Sequence, residues 1–229
     1  QLQPYFAKGQ LDLARYDAGV DQTIALRRSG VVLAPGALRN PLVVLANYFF
    51  DSIPIDLFQI RHGELHELAV TLEAIETPSD LEDPGLLARL RLRWEPRPAR
   101  PDYYGDPELD ALLKYYRTAF AETALRLPIG ALRVLSTLRR LAGDRLLLLS
   151  GDKGTLDLSL LDGQAPPLLT MHGSFSMNVN YQAIGEYLTR AGGAMLRPDH
   201  AHSSLAIIAA HLDPRPRALP SLQLAYHTA

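Results

Sequence analysis

The chain of 229 residues contains no cysteine. That excludes disulfides, thiolate nucleophiles and cysteine metal sites. A formal charge of −2 gives no electrostatic case for nucleic acid or an anionic membrane. No apolar run approaches the ~20 residues needed to span a bilayer. The opening QLQPYFAKGQ lacks the basic start and apolar core of a signal peptide, so a cytoplasmic protein is expected. Neither GxGxxG nor a P-loop occurs, and the usual dinucleotide and triphosphate fingerprints are therefore absent. Gly173-Ser174 sits in HGSFS, which is not the GxSxG elbow of a hydrolase. His200 and His202 would share one face of a strand, but no third ligand follows at a convincing spacing, and no metal site is expected. The chain begins at Gln1, not at a methionine, and enters strand-like sequence almost at once. It reads as the remainder of a longer protein.

What is present is a hydrophobic fraction of 47%, enough for a real core, organised around NPLVVLANYFFDSIP at 40–54. Leu42 to Ala46 is a continuous apolar run with paired valines, the composition of a strand covered on both faces. It runs into Asn47 and Asp51, set among Tyr48, Phe49 and Phe50, and Pro54 blocks simple continuation. Open α/β sheets bind ligands outside the carboxyl ends of their strands, so a buried strand ending in an amide and a carboxylate is a candidate site.

Other strands and helices surround it. GQLDLARY at 9–16 alternates and reads as a strand closed by Asp17-Ala18-Gly19. Gln22 to Leu33 reads as a hairpin turning at Gly30, and Ile55–Ile60 with Glu64–Leu72 as a second hairpin around His62-Gly63. Residues 77–107, rich in Pro, Asp and Arg, read as an irregular insertion with a short strand at Leu90–Trp94. Asp106 caps a helix expected over 106–125, and Pro128 opens another that stops at Gly143. RLLLLS at 145–150 is a second apolar strand ending in Gly151-Asp152. A helix over Tyr181–Ala191 and two strands, Ala194–Arg197 and Ser203–His211, follow. Buried strands followed by helices imply a parallel α/β sheet, and the last two strands, joined by a short connection, an antiparallel edge. Residues 1–212 read as part of one domain and 213–229, marked by three prolines, as linker or tail. The polar strand ends (Asp17, Asn47 with Asp51, Gly151 with Asp152) and the approach from His172 to Asn180 would gather on one rim. That pattern suits a nucleoside-bearing cofactor.

ANYFFDSIP resembles the segment of MidA-like class I methyltransferases in which a strand ends in Asn-Glu-x-x-Asp-Ala-x-Pro. GELHE at 63–67, the proline-rich insertion before two helices, and the strand leading to a glycine-bearing loop are also similar to that family. Tyr48 stands where the family pattern has Glu, and LSGDKG where it has an IDYG-like segment. The resemblance implies a Rossmann-like methyltransferase sheet, strands three to seven. It would be parallel with an antiparallel edge strand and have helices on both faces. The first strand and its glycine loop are not in the sequence, which would leave an apolar sheet edge exposed. It further implies S-adenosylmethionine as cofactor, with Asp17 and Ala18 at the adenine. Asn47, Tyr48 and Phe49 would line the cofactor, with Asn47 and Asp51 beside the methyl group and His172 or Asn178 near the acceptor. The acceptor would be a protein side chain, arginine by resemblance, or a small molecule. A non-catalytic, degenerate methyltransferase-fold interaction module is the alternative. A different nucleotide-binding enzyme ranks below both, because the dinucleotide fingerprint is missing.

Overall fold

The computed structural model describes residues 2–77, 80–167, 177–197, 205–214 and 220–224 apart from 222. A helical turn, α1 (Gln3–Ala7), opens the chain, and a minimal antiparallel hairpin pairs β1 (Ile24–Ala25) with β2 (Val32–Leu33). The strand expected over residues 9–16 does not form; among the described residues its ladder contact is a single bridge, Ala14 to Leu26. The cause is Asp12. Its carboxylate accepts from the backbone N–H of Leu13, Arg28 and Ser29 at 2.7, 2.9 and 3.0 Å, which clamps the segment onto the hairpin as a loop. Those bonds, the Arg28 N–H foremost, hold the Asp12 carboxyl well below the usual carboxylate range.

β3 (Leu42–Asn47) is the expected strand. A single 3₁₀ turn at Phe50–Ser52 follows, and then the antiparallel pair β4 (Asp56–Arg61) and β5 (Glu64–Ala74). The tight turn between them uses His62 and Gly63 at φ 50° and 78°, the left-handed conformations that suit the twist of a two-residue hairpin. β6 (Leu90–Pro98) pairs along β5. α2 (Pro107–Ala119) begins at the Asp106 cap but ends well short of Leu125. Glu122–Leu127 instead forms β7, antiparallel to β4, so tertiary pairing overrides the helical reading there. α3 (Ile129–Ala142) stops at Gly143 in the left-handed conformation. β8 (Leu146–Asp152), the two-residue parallel pair β9 (Gly154–Thr155) and β10 (Val179–Asn180), α4 (Tyr181–Arg190), β11 (Ala194–Leu196) and β12 (Ala206–Leu212) follow.

Two four-stranded sheets result. One runs β6-β5-β4-β7 and is antiparallel throughout; the other runs β11-β12-β8-β3. In the second, β3 and β8 are parallel, and β12 is antiparallel to both β8 and β11. The sheet is mixed, as an antiparallel closing strand requires. α2, α3 and α4 share one contiguous core with inward residues of both sheets, among them Phe58, Leu125, Leu132, Leu148, Ile184 and Ile208. The corner between the sheets is tight. The Gly130 N–H donates to Pro54 O at 2.8 Å, and a Cβ on Gly130 would lie 3.0 Å from the Pro54 backbone.

The expectation of helices on both faces is corrected. Leu146, Leu148, Ala206, Ile208, Ala210 and Leu212 point to the helices and are buried. On the opposite face Val43, Leu45 and Ile207 are 58%, 76% and 50% exposed. β3 is also the end of its sheet, with no neighbour beyond it among the described residues. The sequence of β3 is therefore that of a strand covered twice, while the described residues cover one face and one edge. Among the described residues no helix is long and apolar enough to cross a membrane.

Candidate functional site

The carboxyl end of β3 is built by its neighbour β8. The Tyr48 N–H donates to Gly151 O at 2.9 Å, carrying the parallel ladder one residue past the strand. Asp152, the last residue of β8, is fully buried. Its Oδ2 accepts from the Asp51 N–H at 3.1 Å and its Oδ1 from the Lys153 N–H at 2.8 Å. One carboxylate thereby fixes the turn that carries Asp51 and the loop that leaves β8. Burial raises the Asp152 pKa above the ordinary carboxylate value, and the nearby Asp51 charge pushes in the same direction.

The turn presents specific groups. Asn47 is exposed, and its Oδ1 lies 3.1 Å from where a Cβ on Gly151 would stand. Tyr48 has φ 47° and is 55% exposed. A tyrosine in the left-handed region costs ~1–2 kcal/mol that glycine would avoid, and such strain collects at functional sites. Phe49 is half-buried and Phe50 fully buried, which anchors the turn from beneath. Behind Asp152 the Ser150 and Tyr181 hydroxyls are hydrogen-bonded at 2.7 Å in the core. Gly154 is obligatory, because a Cβ there would lie 2.4 Å from the Tyr181 ring and 2.8 Å from Val179 O.

Of the residues expected to act together, Asn47, Tyr48, Phe49 and Asp51 do share this rim. Asn178 also approaches it: the following Val179 N–H donates to Lys153 O at 2.8 Å and pairs with Gly154. His172 lies outside the described residues, as do His200 and His202. Asp17 and Ala18 are not brought to the rim. Their loop packs at the far end of α3, where Gln22 is bonded to Arg140, whose carbonyl in turn accepts from Gly36 before β3 begins. That is the amino end of the sheet. The expected single rim is thus split between opposite ends.

Sequence reasoning passed over the Ser150–Tyr181 pair and the polar residues of α3. A signal for the latter was present: Arg133, Ser136 and Arg140 fall on one helical face of an otherwise leucine-rich segment. Among the described residues no cluster of three or more histidines or carboxylates is arranged to hold a metal. No protein-family model matches the chain, and no curated protein matches it.

Proposed function

We propose that the chain is the sheet-closing part of an S-adenosylmethionine-dependent methyltransferase, with its methyl-transfer rim at Asn47, Tyr48 and Asp51. The observation that carries this reading is the strand order β3-β8-β12-β11, a parallel pair closed by an antiparallel strand, with a polar turn at the carboxyl end of β3. The face and edge of β3 that the described residues leave uncovered agree with it, since a larger sheet with further helices would cover both.

The rim residues suit part of such a cofactor. S-adenosylmethionine, when bound, supplies an electrophilic methyl group on a sulfonium. Asn47 offers both a donor and an acceptor, Asp51 an acceptor, and the Tyr48 ring an exposed flat surface. Asp51 would orient an acceptor N–H or O–H and hold the proton it releases, while Asn47 fixes the approach. Asp152, through the Asp51 N–H, keeps that carboxylate in place. Asp17 and Ala18 are too far along the sheet to complete this set, so contacts to the adenine fall to other residues. A protein side chain, by resemblance an arginine, or a small molecule would be the acceptor.

Tyr48 at the position of a family glutamate favours a second reading, a non-catalytic, degenerate methyltransferase-fold interaction module. Calorimetry with S-adenosylmethionine and a radiolabelled methyl-transfer assay separate the two. Saturable binding weakened roughly tenfold or more by Asn47→Ala, with transfer lost in Asp51→Ala, is expected for the enzyme. No binding at high micromolar ligand would contradict the methyltransferase and leave the interaction module.

A further inference from the structure

A polar cavity of about 310 Å³ lies against α3, apart from the rim of β3. α3 supplies Arg133, Ser136 and Arg140 at i, i+3 and i+7. Tyr104, the α2 cap Asp106 and Tyr187 of α4 form walls, and the loop Gly19 to Gln22 closes one side.

Each acidic side chain around this cavity already takes at least one hydrogen bond from the protein. Asp106 accepts from the N–H groups of Glu108 and Leu109 at 2.9 and 3.2 Å. Asp56 accepts from the Tyr104 hydroxyl at 2.7 Å. Glu108 accepts from Arg139 at 3.1 Å and from the Tyr187 hydroxyl at 3.0 Å. Those bonds also use both tyrosine protons. The donors are less fully used. Arg140 gives one guanidinium nitrogen to Gln22 and Thr137 and keeps the rest. Arg133 faces Asp56 and Tyr104 electrostatically, yet among the described residues it makes no hydrogen bond or ion pair. A guanidinium carries five N–H donors and no acceptor, so the unused capacity of Arg133 and Arg140 is for an acceptor with negative charge.

We infer that this cavity binds the oxyanion of a small molecule, a carboxylate or a phosphate, held by Arg133 and Arg140. Its volume is at the low end of small-molecule sites, which suits a compact metabolite and not a dinucleotide. Leu109 and Leu132 line the remainder and would meet a short apolar body. The site is independent of the methyltransferase reading.

Isothermal titration with inorganic phosphate and, separately, with acetate tests it, sodium chloride being matched throughout. Saturable binding of at least one anion is expected, weakened roughly 10- to 100-fold by Arg133→Gln and less by Ser136→Ala. Arg97→Gln, on β6, should leave it unchanged. The stronger of the two probes identifies the source as phosphate or carboxylate. The inference is overturned if neither anion saturates below about 20 mM, or if Arg133→Gln and Ser136→Ala both bind like the parent. Equal loss in Arg97→Gln would overturn it too, by showing unspecific charge attraction.

Discussion

Replacing Asp152 by alanine tests how the rim is held. The side chain is fully buried and accepts from two backbone N–H groups, those of Asp51 and Lys153. An orphaned buried donor costs ~1–3 kcal/mol. Lys153 is exposed, so its N–H can turn to water at little cost, whereas the Asp51 N–H is half-buried beside Phe50. Adding a partial term for the emptied space gives a loss of about 2–3 kcal/mol. Asp152→Asn keeps one acceptor and should cost less. Its pH dependence follows from the raised pKa. The folded protein holds this proton to higher pH than the unfolded chain does, so the parent loses stability as pH rises from the ordinary carboxylate value through the folded one. Asparagine does not titrate. The deficit of Asp152→Asn should therefore be largest near the ordinary carboxylate range and shrink as the pH rises above it. Urea unfolding followed by circular dichroism measures both, and amide exchange at Asp51 reports the local opening. A loss below about 0.5 kcal/mol for Asp152→Ala, with Asp51 exchange unchanged, would refute the reasoning.

Other substitutions separate tight positions from free ones. Gly154→Ala meets the Tyr181 ring and the Val179 carbonyl and should cost about 2–3 kcal/mol in thermal unfolding. Gly185→Ala has the flexible Met195 side chain as its nearest neighbour and should change stability by less than about 1 kcal/mol. Leu45→Lys, on the bare face, should stay within about 0.5 kcal/mol of the parent while lowering binding of a hydrophobic dye, whereas Leu148→Ala, fully buried on the other face, should cost ~2–5 kcal/mol. Tyr48→Gly should stabilise the fold by roughly 1 kcal/mol by relieving the positive φ, and weaken any ligand that uses the ring.

Local chemistry made much of this fold legible in advance. The Asp106 cap, the Gly143 stop, the His62-Gly63 turn and the apolar runs of β3 and β8 are where their residues predict, because each signal acts within a few residues. Failures came where distant partners decide. Thr123 to Leu127 continues a helical pattern but is claimed by β4, a strand far back along the chain, in a ladder that pairs Phe58 with Leu125. Leu11 and Leu13 alternate correctly for a strand, yet Asp12 diverts the backbone to the turn at Arg28 and Ser29. The composition of β3 signals two covers, and the described residues provide one. For the site, Asn47 to Asp51 was visible as a polar strand end. The distance from Asp17 to it was not, because that depends on which end of α3 the loop packs against.

The central claim is that the turn after β3 contacts S-adenosylmethionine. Ultraviolet cross-linking with methyl-tritiated S-adenosylmethionine, followed by tryptic mapping, tests it most directly. Cleavage after Arg39 and Arg61 releases residues 40–61 as one peptide containing the whole turn. The account predicts label on that peptide, competed by unlabelled S-adenosylmethionine and lost in Asn47→Ala. Label confined to other peptides, or none that unlabelled ligand competes away, would contradict it.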